Sequence, residues 1–180
     1  MRPAKLDRER TALVVVDVQE AFRKALADFD DVAGAAAVLV SGAAELGIPI
    51  VVTEQYPKGL GATVAEVAER LPEGVEPVEK VRFSAAEADG FGLDGRDQAL
   101  VCGIETHVCV NQTVLDLLDR GIETQVVADA VGLRTEANRE LGLHKMERAG
   151  ATLTSVETAL FELLGGSDAP EFKQVQALVK

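Results

Sequence analysis

Apolar runs of strand length alternate along this chain with longer stretches in which apolar residues recur at helical spacing. TALVVVD (11–17), IPIVVTE (48–54), VEPVEK (75–80), QALVCG (98–103), TQVVADA (124–130) and ATLTS (151–155) predict six strands. Most are apolar at consecutive positions rather than alternate ones, the pattern of parallel strands buried on both faces. Between them, DVAGAAAVLVSGAAELG (31–47), TVAEVAERL (63–71), HVCVNQTVLDLLDRG (107–121) and TEANRELGLHKMERAG (135–150) predict helices. Three of these end in a glycine suited to a left-handed cap. Strand and helix in alternation predict a three-layer α/β sandwich. With 180 residues, one domain spanning 1–180 is expected, broken only at GGSDAP (165–170) before a tail helix within 167–180.

Charge narrows the range of partners. Eighteen Lys and Arg against thirty Asp and Glu leave a formal charge of -12, and no basic stripe offsets it. Such a surface repels phosphate backbones and anionic membranes, so neither nucleic acid nor membrane is an expected partner. The opening MRPAKLDRER lacks the apolar segment of a signal peptide, and no later stretch has the length of a membrane span, which predicts a cytoplasmic protein. Two cysteines without a secretion signal are expected to be free thiols.

In an open parallel sheet, ligand sites form at the carboxyl ends of the strands. Three reactive side chains fall there: Asp17 ends the first predicted strand, Lys80 the third, and Cys109 follows the fourth at the start of its helix. A helix N-terminus favours the thiolate form of a cysteine. Taken singly, Asp17 could cap the next helix, Lys80 could be a solvated lysine and Cys109 a small buried hydrophobe, which is the reading given to Cys102 within LVCG. A base, a cation and a thiol on three separate strand ends form one chemical set.

ALVVVDVQEAF (12–22), the lysine of EKVRFSA (79–85), CGIETHVCVNQTVLDLLDRG (102–121) and VVADAVG (126–132) together resemble, in order and spacing, the motifs of the isochorismatase-like cysteine hydrolases. VVTEQYPKGLGATV, ETALFELLG and PEFKQVQALVK most resemble the isochorismatase domain-containing proteins. The resemblance covers nearly the whole chain. It implies a six-stranded parallel sheet in the order 3-2-1-4-5-6 and a catalytic triad of Asp17, Lys80 and Cys109. It also implies an oxyanion hole from the backbone N–H groups of Glu105 and Cys109, with a cis peptide at Ile104–Glu105. The activity implied is hydrolysis of a small amide, carbamoyl or related carbonyl compound through a thioester. A thiol redox sensor or a catalytically silent interaction module on the same fold are the alternatives.

Gln19, Phe22, Tyr56 and Phe83 follow the first three strands and are candidate substrate contacts, or alternatively core residues. His107 lies two residues from Cys109, a poor spacing for a Cys–His pair on a helix, and is read as a residue of the loop or helix start; His144 is read as a partly buried structural residue or a cation near the C-terminus of its helix. Nicotinamidases, which are related, carry an Asp-x-His metal motif after the second strand, where this chain has TEQYPKG with Glu54 and no histidine. No His/Cys cluster has metal-ligand spacing, so neither metal nor other cofactor is expected. The GLG of 59–61 reads as a turn. The tail places Phe172, Val175, Leu178 and Val179 on one face of a helix too short to stand alone, which suggests docking on a second copy in a homo-oligomer, with docking on its own subunit as the alternative.

Overall fold

The computed structural model describes residues 5–180. The strands β1 (Thr11–Val16), β2 (Ile50–Gln55), β3 (Val78–Lys80), β4 (Gln98–Gly103), β5 (Glu123–Val131) and β6 (Thr152–Thr154) form one parallel sheet in the order β3-β2-β1-β4-β5-β6. The strand order reverses between β1 and β4, which pair from Thr11↔Gln98 to Val16↔Gly103. Among the described residues seven α-helices connect or follow the strands: α1 (Phe29–Glu45), α2 (Pro57–Leu60), α3 (Ala65–Ala68), α4 (Asn111–Asp119), α5 (Glu136–Ala149), α6 (Val156–Leu164) and α7 (Phe172–Leu178).

The alternation of side chains along a strand divides the core in two. Leu13 and Val15 of β1 meet Phe29, Val32 and Leu39 of α1, with Leu160 and Leu163 of α6 and Val175 of α7 in the same cluster. Val14 and Val16 point to the other face, against Val114 and Leu117 of α4 and Leu143 and Met146 of α5. Every residue of β1 and of β4 is buried, as continuous apolar runs require.

Several predicted elements are shortened, among them the helix expected over 63–71, which is reduced to the single turn of α3. β3 begins only at Val78, because Pro77 lacks an N–H to donate to a ladder and follows Pro72 closely. The predicted helix 107–121 splits into a π-helical turn at Thr106–Val110 and α4 proper. The glycines expected to cap helices, Gly47, Gly121 and Gly150, all have positive φ.

α7 corrects one expectation. Val175 is fully buried in the first core, the Phe172 ring stands 6.5 Å from that of Phe161, and Arg8 pairs with Glu171 at 3.0 Å. The apolar face of the tail therefore docks on its own subunit. Among the described residues no helix is long and apolar enough to cross a membrane.

Candidate active site

The carboxyl edge of the sheet gathers Asp17, Lys80 and Cys109. Gly103, at the end of β4, has φ 122, and a Cβ there would overlap the carbonyl of Val16. Only glycine lets β4 run so close to β1 at this point. Asp17 follows at once with φ 52, a conformation that aspartate tolerates at some cost. Its side chain caps no helix, since it is wholly buried and turned toward β2 and β3. Oδ1 accepts a hydrogen bond from Thr53 Oγ1 at 2.7 Å, and Oδ2 lies 2.7 Å from Lys80 Nζ.

Lys80 is not the solvated lysine that it could have been: its side chain is 1% exposed. The ammonium donates to Gln55 Oε1 at 2.7 Å, Phe83 O at 2.9 Å and Arg82 O at 3.2 Å. Asp17 Oδ2, at 2.7 Å, is the fourth oxygen around the ammonium, and the Asp17 carboxylate also faces the Cys109 thiol.

Cys109 is presented by the π-helical turn. Thr106 anchors that turn by donating from N and Oγ1 to Gly132 O at 3.0 and 2.6 Å. Thr113 Oγ1 donates to Cys109 O at 2.7 Å and accepts from Ala85 N at 2.8 Å, which ties the turn to the segment after β3. Gly142 of α5 supports it from behind: a Cβ there would stand 3.1 Å from His107 Cα and 3.2 Å from Thr106 O. The Ile104–Glu105 peptide is cis, Ile104 N donates to Val16 O at 2.8 Å, and the Glu105 N–H meets no acceptor among the described residues. The Glu105 carboxylate pairs with Arg134 Nε at 2.6 Å.

The electrostatics correct the expectation of a resting thiolate. Burial, reinforced by the Asp17 carboxylate and only partly offset by Lys80, pushes the Cys109 thiol up to about 12. Burial also raises Asp17 above the ordinary carboxyl range, against the pull of Lys80, Thr53 and Cys109. The resting site thus holds a protonated thiol beside a carboxyl group with raised proton affinity. Cys102, fully buried, is likewise pushed up to about 12 by burial alone, and both thiols are free.

The other candidates are scattered. Gln19 is wholly buried, and its amide is used within the protein: Nε2 donates to Gln55 O and Gly61 O, and Oε1 accepts from Gln55 N. Phe22 packs against the first core. Tyr56 and Phe83 stay 56% and 52% exposed at the exits of β2 and β3. A cavity of about 530 Å³ lined by Tyr56, Lys58, Val81 and Arg82 also touches Lys80 but does not reach Asp17 or Cys109. His107 sits in the π-helical turn, and His144 is exposed on α5 rather than partly buried. Glu54 is buried, with Oε1 accepting from Thr63 N and Oγ1 at 2.6 and 2.7 Å. No cluster of three or more His, Cys, Asp or Glu able to hold a metal occurs among the described residues. Thr53 and Gln55 were not among the sequence candidates. The adjacency of β1 and β2, which pairs Val16 with Thr53, is the signal that could have found Thr53.

Comparison with known proteins sets this geometry in context. The isochorismatase domain, as a family model, matches residues 11–158. The chain is 40% identical over 175 residues to mouse isochorismatase domain-containing protein 2A, covering 96% of this chain and 84% of that protein. It is 40% identical over 186 residues to the secreted isochorismatase effector Isc1 of Phytophthora sojae, covering 99% and 89%. Among solved structures, MAR1 ribonuclease of Caenorhabditis elegans superposes with a TM-score of 0.92 at 40% identity, covering 98% of this chain and 92% of that one.

Proposed function

The chain belongs to the isochorismatase domain family, and from that premise we propose that it is a cysteine-dependent hydrolase of a small amide, carbamoyl or related carbonyl compound, with Cys109 as nucleophile. The observation that carries this reading is the buried Asp17–Lys80 pair at 2.7 Å, with the Cys109 thiol within reach of both groups. Asp17 takes the Cys109 proton as sulfur bonds to the carbonyl carbon, so the raised proton affinity of a buried carboxyl assists the step. The N–H groups of Glu105 and Cys109 receive the negative oxygen of the tetrahedral intermediate. Collapse of that intermediate breaks the bond to the leaving group, which takes the proton from Asp17 and departs, leaving a thioester. Water then attacks the thioester, gives a proton to Asp17, and releases the acid as the proton returns to sulfur. Lys80 keeps its charge throughout and balances whichever neighbour is anionic.

The name of the worm structure invites a second reading, cleavage of RNA. A net charge of -12 opposes it, since phosphate backbones are held by clustered cations. Two unpaired thiols support a cytoplasmic setting, which cell fractionation tests. Self-association through the exposed Tyr56, Val81 and Phe83, in place of the tail, belongs to the same reading and is tested by solution mass. The decisive assay is a panel of small amides, carbamoyl compounds, thioesters and RNA. Turnover of the small carbonyl compounds and loss of that turnover in Cys109→Ala is expected, whereas RNA cleavage that survives Cys109→Ala overturns the proposal.

A further inference from the structure

Lys80 is held by more than its ion pair. Four acceptors surround an ammonium that has three protons: Asp17 Oδ2, Gln55 Oε1 and the carbonyls of Arg82 and Phe83. The two carbonyls belong to the turn that follows Lys80 itself. Gln55 alone reaches it as a neutral side chain from another strand. That amide is fixed in turn, because Nε2 donates to Val81 O at 3.0 Å. The Gln55 main chain is clasped on both sides by the Gln19 amide, N to Oε1 at 2.8 Å and O to Nε2 at 3.0 Å. Gln19 also donates to Gly61 O at 2.7 Å. Two glutamines therefore stitch together the exits of β1, β2 and β3 at the point where the ammonium sits.

We propose that Gln55 is a positioning residue of the triad, fixing the Lys80 ammonium between Asp17 and Cys109 while leaving its positive charge to those two groups. The inference rests on the catalytic reading of Cys109 given above. A neutral amide orients the ammonium without cancelling it; a carboxylate in the same place would compete with Asp17 for the cation. The titratable groups facing this point are Asp17 at the β1 exit, Lys80 at the end of β3 and Cys109 in the π-helical turn. Neighbouring carboxylates are engaged elsewhere, Glu54 with Thr63 and Glu105 with Arg134.

The test needs no substrate. The iodoacetamide alkylation rate of Cys109 at pH 8, followed by intact mass and peptide mapping, is compared for wild type, Gln55→Glu and Lys80→Met. Gln55→Glu is expected to slow alkylation about tenfold, the effect of raising the thiol by one pH unit, and Lys80→Met to slow it at least as much. A Gln55→Glu rate equal to wild type, with Lys80→Met slowed, overturns this inference and leaves the catalytic reading standing. An unchanged rate in Lys80→Met, or labelling away from Cys109, overturns both. Should Gln55→Glu not fold, Gln55→Asn decides by ¹⁵N NMR of the lysine ammonium groups. The slowly exchanging Lys80 signal expected in wild type at neutral pH is lost when the shortened amide no longer reaches it; its survival unchanged overturns the inference.

Discussion

The two edges of the sheet both bury polar side chains, but they use them differently. At the amino edge, Gln98 is 2% exposed and saturated: Oε1 accepts from Asp7 N and Thr11 Oγ1, and Nε2 donates to Glu123 Oε2 and Lys5 O. At the carboxyl edge, Asp17 is buried against the Lys80 ammonium and the Cys109 thiol, Ser84 Oγ is buried without a hydrogen-bond partner among the described residues, and Asp17 and Tyr56 hold positive φ. A closed network holds strands together. A buried charge pair on strained backbone marks the edge at which the proposed chemistry is placed.

The sharpest way to break the comparison is to remove the chemistry and keep the fold. Cys109→Ala is expected to reduce turnover of a panel substrate to below about one thousandth, and Asp17→Asn by roughly 10²–10⁴-fold, whereas Cys102→Ala keeps normal kcat. Steady-state assays on variants with matched circular dichroism check this. Gly103→Ala should cost on the order of 3 kcal/mol or more in urea denaturation, because the new methyl meets the Val16 backbone and the backbone stays at positive φ. Gln98→Leu, at the closed edge, should cost about 1–3 kcal/mol by stranding its partners while leaving kcat per folded molecule unchanged. A large loss of kcat in Gln98→Leu would mean that the two edges are not independent.

The same comparison can be sharpened through pH. In the folded chain both thiols keep their protons up to about 12, against 9.0 for an unperturbed cysteine. Between those values the unfolded chain binds fewer protons, so stability is full below about pH 9 and falls as pH rises, by about 1.4 kcal/mol per pH unit for each thiol. Cys102→Ala should remove one thiol's share of that alkaline slope, measured as the difference between the two stability profiles from pH 8.5 to 10.5. Parallel profiles would contradict it.

What could be read from the chain followed burial. β1 and β4 were legible because strands covered on both faces show continuous apolar runs, and Asp17 and Cys109 were legible by their place just beyond those strands. Lys80 became a candidate only in combination, since nothing local announces that a lysine beside an exposed Glu79 is buried. The π-helical turn was invisible because Thr106, Gly132 and Gly142 shape it through contacts distant in sequence. The protonation of Cys109 is hidden for a related reason: a helix start can be seen in sequence, but the loss of water and the nearness of Asp17 cannot. Tail docking was legible as a need to bury Val175, without indicating that α1 and α6 of the same subunit supply the surface.

The central claim is that Cys109 carries the acyl group. Intact mass spectrometry of the protein quenched during turnover of a panel thioester or amide tests it most directly. A mass increase equal to the acyl fragment, mapped to the peptide bearing Cys109, absent from Cys109→Ala and discharged by water on standing, is the predicted result. Sustained turnover with no adduct on Cys109, or undiminished turnover by Cys109→Ala, would contradict the account.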